Sequence, residues 1–220
     1  MKYKVIIFDL DGTLLDTLDD LKDACNYALA KNGLPTVSRE RVRISLGNGI
    51  KKLIERVSSN IHYEECLVDF QDYYKLHLLT HTRFYEGTVE ALKELKEDYK
   101  LFVISNKFND GVQLLHKKFF EGLITESIGP TGNLEPKPSF SMFQYLMEKY
   151  HFEKSDIMYV GDSDVDASTC QKLGIDYFIL TTGFRTKEEM LALNIPNLKE
   201  HFLPNISYLR QAIVEAEESK

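Results

Sequence analysis

The chain has 220 residues, of which 43% are hydrophobic and 28% are charged, and its formal net charge at pH 7 is −7. This composition is typical of a globular protein with one or two domains. The acidic balance argues against a general affinity for nucleic-acid phosphates. We see no apolar segment long enough to span a membrane or to form a signal peptide, so neither nucleic acid nor a membrane is expected as a partner.

The three cysteines, Cys25, Cys66 and Cys170, are far apart in the sequence and odd in number. Their spacing matches neither a metal site nor a disulfide framework. A reducing compartment is the simplest setting for such a chain, which predicts a cytoplasmic protein.

The first predicted element is a buried strand over residues 5–8, and two carboxylates follow it. Four large apolar residues in a row fit a strand that is buried on both faces. Asp9 and Asp11 stand where this strand should end, before Gly12, which permits a sharp turn. Ligands of open parallel sheets collect at this end of the strands, and two adjacent carboxylates usually need a cation or a shared proton. The alternative is an ordinary acidic turn, since Asp-Gly is common in turns.

The segment 16–82 contains no convincing strand. Its apolar spacing indicates three helices, over residues 18–29, 50–57 and 67–78. Because this segment is inserted beside the candidate site, we predict a helical cap over 16–82 and a catalytic core formed by 1–15 and 83–220. The alternative is that these helices simply pack on one face of the sheet.

After this segment, short apolar runs alternate with helical patterns. The runs lie at 101–104, around 123–124, at 157–160 and at 177–180. Helical spacing occurs over 89–95, 140–147 and 164–173. Strands that alternate with helices predict an α/β fold with a parallel sheet and right-handed crossovers.

Two polar motifs follow or lie near predicted strand ends. In Ser105-Asn106-Lys107, a hydroxyl and exposed backbone N–H groups could hold phosphate oxygens. Lys137 precedes Pro138, which restricts the backbone before it and suits a fixed cation for phosphate or carboxylate. Taken alone, the first motif is more often a helix cap or turn, and the second a surface loop.

A third motif, residues 161–166, follows the run at 157–160 and contains Asp162, Asp164 and Asp166. Asp162 and Asp166 are four residues apart, so they share a face if a helix has begun by then. The alternative is helix capping by Asp162 or Asp164, which explains one acid better than three.

One site would then hold four negative charges, those of Asp9, Asp11, Asp162 and Asp166. A phosphate dianion cannot enter such a site unaided, whereas a hard divalent cation with oxygen ligands resolves the repulsion. Mg²⁺ is therefore the expected cofactor, and Lys137 would add positive charge. All the parts needed for phosphoryl transfer would then be present.

With these motifs the chain resembles the haloacid dehalogenase superfamily, in particular its phosphoglycolate phosphatase-like members. The resemblance covers nearly the whole chain, because the four motifs occur in the family's order and at suitable separations. They are residues 9–13, 105–107, 137–138 and 161–166. The resemblance implies a Rossmann-like parallel sheet core with a helical cap inserted after the first motif.

The resemblance also implies roles in catalysis and in substrate binding. Asp9 is the nucleophile that becomes an aspartyl phosphate, and Asp11 protonates the leaving alcohol and then helps to activate water. Ser105 and Lys137 bind the phosphoryl group. Two further motif residues are expected to contact the substrate, namely Thr13 and Asn106.

The same resemblance implies a metal site. Mg²⁺ would be held by Asp9, by the backbone carbonyl of Asp11 and by Asp162. Asp166 would support the metal site and orient Lys137.

In the predicted cap, residues 46–50 look like the family's substrate-facing loop, with Gly47 and Asn48 as candidate substrate contacts. Lys52 and Arg56 follow on one helical face and could meet an anionic substrate. The alternative is an ordinary solvated helix face.

Asp11 also favours phosphoryl transfer over carbon–halogen cleavage, because dehalogenases of the family lack an acid at this position. The sequence therefore predicts a Mg²⁺-dependent phosphatase for a small phosphorylated metabolite, with phosphoglycolate as the family-level substrate and a monomer or homodimer as the assembly. The alternatives are a pyrophosphatase or phosphosugar mutase of the same superfamily, or a non-catalytic protein that binds a phospholigand.

Overall fold

A computed structural model describes residues 2–218. The strands in chain order are β1 (Val5–Phe8), β2 (Leu15–Asp16), β3 (Arg83–Phe84), β4 (Lys100–Ile104), β5 (Glu126–Ile128), β6 (Ile157–Gly161), β7 (Asp176–Leu180) and β8 (Phe202–Leu203). The helices are α1 (Leu18–Lys31), α2 (Arg39–Ser45), α3 (Gly49–Ser58), α4 (Tyr63–His77), α5 (Thr88–Leu95), α6 (Asn109–Leu115), α7 (Ser141–Tyr150), α8 (Asp164–Leu173), α9 (Lys187–Ala192) and α10 (Leu209–Glu218).

Six strands form one parallel sheet in the order β5-β4-β1-β6-β7-β8. Strand β1 is central and buried on both faces, as its unbroken apolar run predicts. Val5 and Ile7 pack into the apolar cluster on one face, whereas Ile6 and Phe8 pack into the cluster on the other. The α/β prediction is confirmed, and the carboxyl end of β1 lies between the ends of β4 and β6.

One predicted strand is displaced. The run around Leu123 and Ile124 lies in a turn, and β5 begins two residues later at Glu126. Ile124 is buried by side-chain packing, while Glu126, Ser127 and Ile128 make the strand pairing with β4, and the first two of these are polar. Strand β5 lies at the sheet edge, so apolar content alone marks it poorly.

The helical segment contains one more helix than the spacing indicated. The additional helix, α2, has few apolar residues, and its N-terminus is capped by the Ser38 hydroxyl, which accepts from the Arg41 backbone N–H at 3.1 Å. Helices α1 and α4 pack along each other, and their buried residues join the apolar cluster on one sheet face.

The chain enters and leaves this helical segment side by side. Strands β2 and β3 pair in an antiparallel ladder, with Leu15 opposite Phe84 and Asp16 opposite Arg83. This ladder lies where the cap was predicted to begin and end. Division into a cap at 16–82 and a core at 1–15 and 83–220 stays a prediction.

Within residues 2–218, no helix is both long and apolar enough to cross a membrane. The three cysteines are buried and carry free thiols.

Candidate active site

A cleft of about 70 Å³ opens at the carboxyl ends of the central strands, between the sheet and the helical segment. The sheet side contributes the predicted residues Asp9, Asp11, Ser105, Asn106, Lys137 and Asp162. The helical side contributes Leu21, Arg43, Leu46, Gly47, Gly49, Ile50 and Leu53. Four separate sequence motifs thus meet at one small cleft, because parallel strands present their carboxyl ends at the same edge of a sheet.

Lys137 lies at the centre of a buried cluster with Asp9, Asp166 and Tyr159, which we call the Lys137 cluster. Its ammonium donates to Asp9 Oδ1, to Asp166 Oδ1 and to the Tyr159 hydroxyl oxygen, each at 2.8 Å. The Lys137 side chain is only 2% exposed. Burial by itself would lower the pKa of Lys137, but Asp166 and Asp9 outweigh that effect and raise it. The lysine therefore stays charged beside the predicted nucleophile.

Asp166 is fully occupied by neighbouring donors. Its Oδ1 accepts from Lys137 and Tyr159, and its Oδ2 accepts from the backbone of Asp162 and from the backbone and hydroxyl of Ser163. Ser163 and Asp166 form the capping box that begins α8. Burial opposes ionisation of Asp166, but Lys137 and the other donors hold its pKa below the usual value. Asp166 is therefore suited to fixing its neighbours in place.

Asp162 is held by contacts from the neighbouring loops. Its Oδ1 accepts from the Thr13 hydroxyl at 3.2 Å, and its Oδ2 accepts from the Phe184 backbone N–H at 2.7 Å. Two glycines make room for this side chain, because a Cβ at Gly12 or Gly183 would come closer than 3.0 Å to Asp162. Thr13, a predicted substrate contact, is thus engaged with Asp162.

The carboxylates of Asp9, Asp162 and Asp166 form a buried acidic group, with one oxygen of each within 4.8 Å of the others. Burial raises the pKa of Asp9 to about 7. The charge of Lys137 opposes this rise, and the charge of Asp166 adds to it. Burial and the two neighbouring acids likewise raise the pKa of Asp162 well above its usual value. These carboxylates repel one another, and a bound cation would reduce that repulsion. Their hard oxygen atoms are suitable ligands for a divalent cation such as Mg²⁺.

Lys107 forms a second buried cluster, the Lys107 cluster, with Asp11, Tyr74 and Thr17. The Lys107 ammonium donates to Asp11 Oδ1 at 2.9 Å and to the Tyr74 hydroxyl oxygen at 2.6 Å. The Thr17 hydroxyl donates to the same Asp11 Oδ1 at 2.7 Å. Lys107 stands in a sequence motif that indicates no partner for it, and Tyr74 lies at helical spacing within the helix predicted over 67–78.

Ser105 and Asn106 differ in what their side chains contact. The buried Ser105 hydroxyl oxygen accepts from the Lys107 backbone N–H at 3.1 Å, and its proton has no acceptor among residues 2–218. The Asn106 amide instead binds the Lys137 backbone, donating to its carbonyl at 3.1 Å and accepting from its N–H at 2.6 Å. Ser105 is free to donate to a phosphoryl oxygen, whereas Asn106 fixes the backbone of Lys137.

On the helical side, the loop at 46–50 lines the cleft through Leu46, Gly47, Gly49 and Ile50, whereas Asn48 and the predicted cations behind it do not line the cleft. Lys52 is exposed and pairs with Glu55 at 2.6 Å. Arg56 donates to the Ser45 carbonyl at 2.8 Å and to the Asn48 side-chain oxygen at 2.7 Å. The roles of Asn48, Lys52 and Arg56 in substrate binding stay predictions.

Two arginines that the sequence did not indicate line the cleft instead. Arg43 on α2 makes five hydrogen bonds, which go to Glu40, to Glu189 and to the Phe184 carbonyl. Because a guanidinium has five N–H groups, its donors are all used, and the contact lowers the pKa of Glu189. Arg185 has one ion pair, to Asp164 at 3.5 Å, and no side-chain hydrogen bond among the described residues.

The sequence profile of the haloacid dehalogenase-like hydrolases matches residues 6–180. This chain belongs to that family. The phosphoglycolate phosphatase of Vibrio parahaemolyticus is 33% identical over 205 residues, which span 87% of this chain and 89% of that protein. The phosphoglycolate phosphatase of Haemophilus influenzae strain 86-028NP is 34% identical over 196 residues, which span 83% and 88%.

Solved structures with the same fold also cover nearly the whole chain. A candidate phosphoglycolate phosphatase from Lactobacillus delbrueckii subsp. bulgaricus superposes with a TM-score of 0.89 at 26% identity, covering 97% of this chain and 99% of that one. The prediction of a phosphoric monoester hydrolase of the phosphoglycolate phosphatase-like group is therefore confirmed at the level of the family. The substrate and the metal belong to the proposal that follows.

Proposed function

We propose that this chain is a Mg²⁺-dependent phosphatase that hydrolyses a small phosphate monoester, with phosphoglycolate as the favoured substrate, through an aspartyl phosphate on Asp9. The observation that carries the proposal is the single cleft in which Asp9, Asp11, Lys137 and Ser105 converge beside the buried acidic group. This combination supplies a nucleophile, a proton donor, a fixed cation and a hydroxyl donor for one phosphoryl group.

In the first half of the reaction, Asp9 attacks phosphorus and the bond to the leaving oxygen breaks. Asp9 Oδ1 is held by Lys137, while its Oδ2 accepts no hydrogen bond from residues 2–218 and is available for attack. Lys137 and Ser105 stabilise the charge on the phosphoryl oxygens. Asp11 gives its proton to the leaving alcohol, which an alkyl oxygen needs in order to depart.

In the second half, water attacks the phosphorus of the aspartyl phosphate and releases phosphate from Asp9. Asp11, which has lost its proton, takes one from this water. Two in-line transfers of this kind are the usual form of covalent phosphoryl transfer. The same carboxylate thus serves as acid and then as base, so its orientation must suit both steps.

Mg²⁺ would be held by Asp9, by the Asp11 carbonyl and by Asp162, and it would neutralise the charge that otherwise repels the phosphate dianion. We place Asp166 outside the direct ligands, because its two oxygens already accept five hydrogen bonds. Its part is to orient Lys137 and the start of α8.

The choice of phosphoglycolate rests on the names of the relatives, on the small cleft and on one cation. Arg185 faces the cleft with most of its N–H groups unused, so it can bind the carboxylate of a leaving glycolate. Arg43 lacks this capacity, since its five donors are already occupied.

The experiment is a phosphate-release assay on phosphoglycolate, on a panel of other phosphorylated metabolites and on p-nitrophenyl phosphate. We expect activity with Mg²⁺, no activity after EDTA, and recovery of activity when Mg²⁺ is added back. Ca²⁺ should restore little activity, because it takes more ligands in a looser geometry. Asp9→Asn is the matched control, because an amide of nearly the same shape cannot form the acyl phosphate.

Each competing function gives a different result in this assay. Product isomerisation without net phosphate release would identify a mutase, and hydrolysis of pyrophosphate alone a pyrophosphatase. Binding of phosphoglycolate without turnover would identify a non-catalytic protein. Full activity in metal-free buffer, or a folded Asp9→Asn variant with a tenth of the wild-type kcat, would overturn the proposal.

A further inference from the structure

Lys107 and Tyr74 have no part in the phosphoryl-transfer steps above, yet both are buried beside Asp11. The Lys107 side chain is 2% exposed, and Tyr74 is fully buried. An ammonium in such surroundings needs polar partners, and the two that it has are Asp11 and Tyr74. Burial alone would lower the pKa of Lys107, but these two contacts outweigh it and raise the pKa, so the lysine is charged.

The contacts fix one oxygen of Asp11 and leave the other free. Oδ1 accepts from both Lys107 and Thr17, whereas Oδ2 accepts no hydrogen bond within the described part of the chain. Two donors on one oxygen hold the carboxylate against rotation. The free oxygen of Asp11 is then the one that can reach a leaving alcohol or an attacking water in the cleft.

Lys107 and its acceptor Tyr74 come from different parts of the fold. Lys107 follows β4, whereas Tyr74 belongs to α4 in the helical segment. The Tyr74 ring packs edge-on against Phe108 with centroids 6.2 Å apart, and it packs against Phe70 at 5.3 Å. Its hydroxyl therefore meets Lys107 only when α4 is seated against the loop after β4.

We propose that Lys107 and Tyr74 are positioning residues for the proton transfers of Asp11, and that Tyr74 makes the orientation of Asp11 depend on the seating of helix α4. This inference rests on the proposed phosphatase function.

The test compares two leaving groups in Tyr74→Phe, which removes only the hydroxyl. Glycolate is a poor leaving group and needs a proton, whereas p-nitrophenolate departs with little help. General acid catalysis typically raises the rate 10²–10⁴-fold, and a partial misalignment of Asp11 should remove about tenfold of this rate enhancement. We expect kcat/KM for phosphoglycolate to fall about tenfold, and kcat/KM for p-nitrophenyl phosphate to fall less than about threefold.

Tyr150→Phe is the matched control, because it removes a hydroxyl that donates to Glu126 at 2.9 Å, away from the cleft residues. It should leave the ratio of the two kcat/KM values unchanged. Lys107→Met should shift the ratio in the same direction as Tyr74→Phe. Thermal unfolding of each variant separates a loss of fold from a loss of alignment.

An equal fall for both substrates in Tyr74→Phe would mean that the residue is only structural, and no fall would mean that it does not act on Asp11. Either result overturns the inference while the wild-type activity upholds the proposed function. A wild-type protein that hydrolyses neither substrate would overturn both.

Discussion

The two lysine clusters have the same local design but different structural origins. In each, a buried lysine binds one aspartate of the first motif and one buried tyrosine hydroxyl. The side chains of the Lys137 cluster come from the residue after β1, from β6 and α8, and from the loop before α7. The Lys107 cluster instead takes Tyr74 from α4 and Thr17 from the turn before α1. Asp9, the proposed nucleophile, is therefore held by the sheet side alone, whereas Asp11, the proposed proton donor, is held partly through the helical segment.

The first prediction concerns stability, where the two lysines should differ most. Lys137→Met leaves Asp9 and Asp166 buried without their cation, and breaking such a pair typically costs about 3–5 kcal/mol. Lys107→Met should cost clearly less, because the Asp11 carboxylate is 19% exposed and keeps the Thr17 hydroxyl. The measurement is the free energy of unfolding in urea with EDTA present. Equal costs for the two variants would show that the clusters are energetically alike.

The second prediction concerns metal affinity and pH. Because burial raises the pKa of Asp9 to about 7, this carboxyl is largely protonated at pH 6 and ionised at pH 8 in the metal-free protein. A metal binds the ionised form and must displace the proton, so affinity falls as pH falls. The apparent Kd for Mg²⁺ should rise by at least about tenfold for each pH unit below 7, because the pKa of Asp162 is raised as well and both carboxyls must lose their protons.

Calorimetry in buffers of different ionisation enthalpy measures both this Kd and the proton released. Lys107→Met should keep the same pH dependence, since Lys107 lies in the other cluster. A Kd that is constant between pH 6 and pH 8 would contradict the assignment of Asp9 to the metal site.

The smallest expected effect is on the outer helical face. Lys52→Ala combined with Arg56→Ala should raise KM for anionic metabolites by at most about fivefold, because exposed charge contacts contribute little. The KM for p-nitrophenyl phosphate should stay unchanged. The measurement is the ratio of kcat/KM for phosphoglycolate to that for the aryl phosphate. An unchanged ratio would show that Lys52 and Arg56 serve only their contacts with Glu55, Asn48 and the Ser45 carbonyl.

The two clusters also differ in how far the sequence predicts them. Asp9, Lys137 and Asp166 stand in recognisable motifs, and parallel strands bring such motifs to one edge of the sheet. Tyr74 has no such mark, because a tyrosine at helical spacing looks like an ordinary core residue. Its contact with Lys107 depends on how α4 packs, which is a tertiary property.

The same limit applies to the rest of the helical side. Helix α2 lacked an apolar stripe, so neither the helix nor its Arg43 was predicted, although Ser38 offered a capping signal. The predicted position of strand β5 was displaced because two of its three pairing residues, Glu126 and Ser127, are polar. The spacing of residues in the sequence identifies the motifs whose side chains could take part in the chemistry. It does not identify contacts between separate helices and strands.

The close approach of Gly12 and Gly183 to Asp162 has a consequence for how this protein can change over evolutionary time. Any side chain at either position would collide with a carboxylate that already has fixed partners, and Gly12 also has a φ of +90°. Both positions are therefore closed to neutral drift, although neither has a side chain to take part in the chemistry. Leu46, Ile50 and Arg185 line the cleft, but none of their side chains hydrogen-bonds Asp162, so replacements there leave its contacts with Thr13 and Phe184 in place.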